Sequence, residues 1–324
     1  MDTSTVDAPP VIAKPVPKTL AALADEDGMP LQPNAPSAPR ANFKSDFWLP
    51  IPSLFLPGFG QYFQGEWVGL GYTGAAFAGI YLSVDATSRL ADQDAGFDPS
   101  RLFDGEDWDV RELTLGSMLY QGSGFLSAYS AFRSSVPLFQ KEDGRYRFLK
   151  ARESLGDMAL APVRFGHLGK ASTFVPLGLL AGVLAYLVID ERSTHSGSDW
   201  AFSADDLGYS GPLAYNAGLT EEAVFRGWLL PVAYEYSKRS WWFANGAQAG
   251  LFALAHYNRA NPVPWPQFLL GWYFGSMTRK NGWTLSESIF LHAWWDGLLF
   301  LSQALTSRRV DGGSAFRIAF PLPL

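Results

Sequence analysis

Leu219-Thr220-Glu221-Glu222-Ala223-Val224-Phe225-Arg226-Gly227-Trp228 places two adjacent carboxylates and a guanidinium inside an apolar run. No charged side chain precedes Glu221 back to Asp206, and none follows Arg226 until Glu235. A charge in lipid costs roughly 2.5–3.5 kcal/mol on insertion scales, so such residues face a bundle interior and serve a function there. Helical spacing sets Glu222 and Arg226 four apart, one above the other, where they neutralise each other. Glu221 is then the carboxylate left without a local partner.

The rest of the chain repeats the apolar pattern. Hydrophobic residues make up 48 % and mean hydropathy is about zero, values ordinary for a soluble protein. The average conceals segregation. No charged residue lies between Glu66 and Asp85, Glu112 and Arg133, Lys170 and Asp190, Arg239 and His256, or Arg259 and Arg279. Each gap approaches the roughly 20 residues that a helix needs to cross a hydrocarbon core. The fold expected is all-α, a polytopic membrane bundle of about seven to eight transmembrane or re-entrant helices.

Aromatic residues are abundant, and Trp67, Trp241, Trp265 and Trp283 stand at window ends, as an interfacial belt requires. The absence of cysteine excludes disulfides and thiolate metal sites. Any metal would need His and carboxylate ligands. A net charge of −6 argues against a nucleic-acid partner and leaves the lipid bilayer as the expected environment.

Residues 1–44 are rich in Pro, Ala and Asp without apolar periodicity, and are expected to form a disordered cytoplasmic tail. Residues 45–132 read as an N-terminal membrane module. It opens on a run in which Pro50, Pro52, Pro57, Gly58 and Gly60 forbid a regular spanning helix, so a broken or re-entrant element is expected. Pro57-Gly58-Phe59-Gly60-Gln61-Tyr62 resembles the PGxGQ-Y signature of small bacterial membrane modules built as helical hairpins; a tight interfacial turn is the plainer reading. Spans over 66–84 and 113–132 flank an acidic stretch that does not fit the EF-hand register and reads as a solvated loop.

Residues 133–170 are basic and, by the positive-inside rule, cytoplasmic, with Phe139, Tyr146, Phe148 and Leu149 suggesting an interfacial amphipathic helix. Residues 171–324 then form the chemical core, with segments over 172–190, 211–236, 241–257, 264–279 and 284–305. Lys238-Arg239 and Arg279-Lys280 read as cytoplasmic turns, consistent with a multi-pass inner-membrane protein whose N-terminus is cytoplasmic; Arg308 and Arg309 run against that alternation.

Of four histidines, His167 and His195 lie in charged segments and read as incidental. His256 ends an apolar run. His292 and Asp296 share one helical face at a spacing of four. Glu221, placed early in its helix, should approach His256, late in the next, by antiparallel threading. Glu221, Glu222, Arg226, His256, His292 and Asp296 can thus converge on one cavity, where a carboxylate and imidazoles can activate water. Taken singly, each has a structural reading: a neutralised pair for Glu222 and Arg226, interhelical hydrogen bonding for a membrane histidine. On the residues alone, catalysis stands against a proton or ion pathway.

Glu221-Glu222-x-x-x-Arg226, Phe252-x-x-x-His256 and His292-x-x-x-Asp296, in that order, resemble the motifs of the CPBP intramembrane proteases, also called CAAX protease and bacteriocin-processing or Abi proteins. The similarity covers roughly residues 170–305. It implies hydrolysis of a peptide bond in a membrane-embedded or membrane-anchored protein or peptide. It further implies Glu221 as general base polarising water with His256, His292 and Asp296 stabilising the oxyanion, and Glu222, Arg226 and Phe252 supporting the site. The family often has Asn where Asp296 stands. An ionised Asp would repel an oxyanion, so Asp296 is expected either to be protonated or to orient His292. Glu221, His256 and His292 could hold zinc, but no cofactor is favoured, because the sequence shows no carboxylate partner for each histidine. Some relatives are linked to bacteriocin self-protection, so a non-enzymatic immunity or scaffold protein is the alternative. A proton-coupled transporter is another, although no repeated halves are evident.

Overall fold

The computed structural model describes residues 48–92, 108–135, 153–194, 204–237, 240–257 and 262–307, all within one unit of the chain, Asn42–Leu324. The expected tail over 1–44, most of the acidic loop, the amphipathic helix at Phe139–Leu149, His195, Lys238-Arg239 and Arg308-Arg309 lie outside them. The described residues are helical, with no strand among them.

The proline-rich start breaks as its sequence requires. Helix α1 (Pro50–Phe55) and helix α2 (Phe59–Gln64) are separated at Pro57-Gly58. Gly58 has φ of 96°, and a Cβ there would lie 2.4 Å from Thr73 Oγ1, so only glycine fits. The turn is buried against α4 (Trp108–Ser135). Gly58 N–H donates to Ser127 Oγ at 2.8 Å, and Gln61 Nε2 donates to the Ser127 carbonyl at 2.8 Å. Ser127 Oγ returns a bond to Gln61 Oε1 at 2.7 Å. The PGxGQ-Y run is therefore a latch on α4.

Helix α3 (Gly69–Asp92) pairs with α4. At their far end Arg89 joins Asp85, Asp109 and Glu112. Beyond α4, a strap begins at Ser154, whose hydroxyl and the Asp157 carboxylate form a reciprocal capping box on α5 (Leu155–Ala159). Two 3₁₀ turns follow, Ala161–Val163 and Phe165–Gly169.

Helix α6 is Ala171–Thr194. Helix α7 (Ala204–Glu222) continues through a π-helical turn, Ala223–Leu229, into α8 (Leu230–Tyr236). Helix α9 (Trp241–Ala255) and α10 (Trp265–Lys280) form a hairpin, and α11 (Ser286–Ser307) returns through the centre. These helices coincide with the apolar windows to within a turn at most ends. The exceptions are α3 and α7, whose polar ends run on by about two turns, because a helix does not stop where apolarity stops.

The centre packs Tyr129 and Phe132 of α4, Met158 of the strap, Leu219, Ala223 and Phe225, Phe252 of α9, Leu285 just before α11 and Ile289 in it. Gly218 allows α7 onto α11: a Cβ there would sit 2.7 Å from the Ala293 nitrogen.

Among the described residues one helix, over Ala171–Asp190, is long and apolar enough to cross a membrane by length and composition. Helices α9 and α10, with 15 and 16 residues, fall short of the roughly 20 required. Beside this apolar centre, the pattern of burial also departs from ordinary globular practice. Glu222, Arg226, Glu287 and Arg111 are buried, while Phe77, Tyr81, Leu179, Val183, Trp242, Phe243, Leu254 and Leu269 are exposed.

Candidate active site

Glu221 and Glu222 occupy the last turn of α7, just before the helix widens. Pro231 explains the widening. It has no N–H for the Gly227 carbonyl, and its ring crowds that carbonyl, so Leu230 N–H instead reaches five residues back to Phe225. Glu221 is accordingly in the middle of a continuous helical run beginning at Ala204, and not early in its helix as the sequence suggested. The expected approach to His256 occurs all the same, because α9 lies against the π turn.

His256 ends α9. The last four carbonyls of a helix lack intrahelical partners, and the Phe252 carbonyl is one of them. It accepts from His256 Nδ1 at 2.8 Å. In the neutral imidazole that bond leaves the unprotonated Nε2 facing Glu221. His256 Nε2 and His292 Nε2 each lie 3.8 Å from Glu221 Oε2. That separation is too long for a direct hydrogen bond, and Glu221 Oε2 is buried without one. One bridging oxygen spans such a distance.

On α11, His292 and Asp296 are one turn apart with Nε2 and Oδ2 at 3.4 Å. His292 Nδ1 donates to Glu222 Oε1 at 2.9 Å. The same Oε1 meets Arg226 at 2.8 Å, close enough for an ion pair but not aligned as a hydrogen bond. Glu222 therefore does more than neutralise Arg226. It also holds an imidazole, a connection between α7 and α11 that no local spacing announces. Phe252 lies 4.3 Å below the Arg226 guanidinium and 4.5 Å from the His256 ring.

The structure thus brings together all seven residues singled out in the sequence: Glu221, Glu222, Arg226, Phe252, His256, His292 and Asp296. His167 stays apart in a 3₁₀ turn, its ring 5.5 Å from Phe290. Burial lowers its pKa from the ordinary imidazole value.

Two acidic residues escaped the sequence reading. Glu153 accepts from the backbone N–H groups of Leu285 and Ser286, capping α11 from the strap. Glu287 is buried and joins Lys170, Ser172, Thr173 and Asn281. Both stand in ordinary polar contexts in the sequence, and only the meeting of distant segments reveals them. Phe274 of α10, stacked on His292, carried no signal beyond being one apolar residue among many.

Among the described residues, no group of three His, Asp or Glu is arranged to hold a metal ion. Each imidazole does have an acceptor on Nδ1, Glu222 for His292 and the Phe252 carbonyl for His256. His292 thus has a carboxylate partner that the sequence did not reveal, whereas the partner of His256 is a carbonyl. The donors do not fit a metal as placed.

No curated protein and no solved structure matches the chain. Residues 209–298, which contain all seven side chains, match the family model described as Rce1-like, type II CAAX prenyl endopeptidase.

Proposed function

We propose that this protein is a multi-pass intramembrane endopeptidase that hydrolyses a peptide bond of a membrane-embedded or membrane-anchored substrate. One observation carries the reading: Glu221 from α7 stands equidistant from imidazoles supplied by α9 and α11. A carboxylate and the unprotonated Nε2 of His256 can share one water, with Glu221 taking its proton as the oxygen attacks the scissile carbonyl. His292, held through Nδ1 by Glu222, presents Nε2 and the neighbouring Asp296 to the oxygen on which charge develops. Glu222 and Arg226 keep that layer in place. The mechanism is of glutamate type.

The membrane setting is supported by the distribution of side chains. Ionised groups are buried together while apolar rings and aliphatic chains cover the outside, as lipid requires and water does not. The basic residues Lys170, Arg279 and Lys280 gather at one end, where Lys170 reaches Asn281. We assign that end to the cytoplasm of a bacterial inner membrane. His256 ends a helix of 15 residues that starts at this end, so the site lies about 20 Å from it.

The test is cleavage after reconstitution. Probes are a farnesylated CAAX peptide, suggested by the family description, and non-prenylated transmembrane peptides. Wild-type cleavage that disappears in Glu221→Gln and in His256→Ala supports the reading. Proton flux without cleavage would replace it with a transporter.

A further inference from the structure

Phe274 belongs to none of the three motifs, yet it is where α10 meets the site. Its ring is fully buried and stacks on the His292 imidazole, with centroids 5.0 Å apart and planes 27° apart. The Arg226 guanidinium lies 5.1 Å from the centre of the same ring. Phe252 completes the enclosure, 4.3 Å from that guanidinium and edge-on to His292 at 5.9 Å.

The hydrogen bond from Nδ1 to Glu222 holds one edge of the His292 ring and leaves its faces to be supported by packing. Asp296 and Glu221 stand 3.4 and 3.8 Å from the other nitrogen, beyond the 2.9 Å of the Glu222 contact. A stacked face narrows the residual motion about Cβ–Cγ, because offset-stacked rings have a preferred tilt and separation. The same face gives Arg226 an electron-rich neighbour in place of water. We propose that Phe274 is a positioning residue of this site: its ring sets the plane of His292, and with it the aim of Nε2 at Glu221 and Asp296. The kinetic consequence rests on the endopeptidase reading, whereas the geometric claim is independent of it.

The experiment uses the full chain in lipid nanodiscs as wild type, Phe274→Leu, Phe274→Met and Phe274→Tyr. Methionine fills the volume without a ring, and tyrosine restores the ring. With the farnesylated CAAX peptide as probe, Leu and Met should lower kcat about 10- to 100-fold, the scale of a small misplacement, with KM within about threefold. Tyr should return kcat to within about threefold of wild type. Wild-type kcat in Leu or Met, or a loss confined to KM, overturns the proposal.

A second readout needs no turnover. The chain has four histidines, so ring signals of histidine-labelled protein can be resolved, and His292 is identified by the signal missing in His292→Gln. Its ring protons should be shifted upfield by the stack in wild type and Tyr, and should return downfield in Leu and Met. Unchanged positions overturn the proposal. A wild type that cleaves nothing counts against the endopeptidase reading alone, and the imidazole signal still decides Phe274.

Discussion

Glu222 Oε1 is shared: it accepts from His292 Nδ1 at 2.9 Å and faces Arg226 at 2.8 Å. Three buried groups from two helices therefore depend on one oxygen. Removing one partner of a buried ion pair typically costs about 3–5 kcal/mol, because the other charge remains buried and unmatched. Glu222→Gln should lower the unfolding midpoint in detergent strongly, and Arg226→Met should do likewise. The double variant should be less destabilised than the sum of the two. Additivity in the thermal scans would show that the pair is not coupled.

Asp296 lies 3.4 Å from His292 Nε2, at a position where the proteases that the three motifs resemble often have Asn. If its task is hydrogen bonding to that ring or to the oxyanion, an amide can take it over. Asp296→Asn should keep cleavage within about tenfold of wild type, while Asp296→Ala should lose about 10²–10³ in kcat. Equal losses in both would assign the role to the negative charge.

Gln61 and Ser127 exchange two hydrogen bonds that hold α2 on α4. Ser127→Ala leaves the buried Gln61 amide oxygen without its donor, at a cost of about 1–3 kcal/mol. The latch lies outside the catalytic cluster, so the variant should unfold at lower temperature while its kcat per folded molecule stays near wild type. A selective fall in kcat would give the latch a catalytic part.

The strap carries a pH-dependent contact outside the bundle. The Arg164 guanidinium, 2.6 Å from Asp157, and the Ser154 cap hold the Asp157 carboxyl down to about 2, below its ordinary 3.8. A depressed carboxyl stabilises the fold above the unfolded value and loses that effect as pH falls through the folded one. Hydrogen exchange at the α5 amides, corrected for intrinsic rates, should therefore rise between about pH 4 and pH 2. In Arg164→Ala that transition should move upward. A transition unmoved by the substitution would exclude this pair as its cause.

Orientation can be read directly because the chain has no cysteine. Tyr257→Cys and Lys280→Cys lie at opposite ends of the α9–α10 hairpin. In intact vesicles a membrane-impermeant maleimide should label them from opposite sides, Lys280→Cys from the cytoplasmic one. Labelling of both from one side would contradict the proposed crossing.

Much of this could be read along the chain because helices have local rules. The charge-free windows located α3, α4, α6, α9 and α10, and the spacing of four paired Glu222 with Arg226 and His292 with Asp296. Pro57-Gly58 marked a break, and the chain does break there. The π turn was not legible, since Pro231 announces an interruption without saying how the helix accommodates it.

What the sequence determined unaided, then, was the set of long helices and the identity of the polar groups that three of them bring inward. Tertiary structure alone decided which atoms meet. It set His292 on Glu222 rather than on Asp296 alone, placed Phe274 against the imidazole, and closed α11 with a carboxylate from Glu153. The division has a physical reason. Periodicity and turn chemistry act over a few residues, whereas these contacts join residues 18 to 133 positions apart and exist only where helices pack closely enough for them to form.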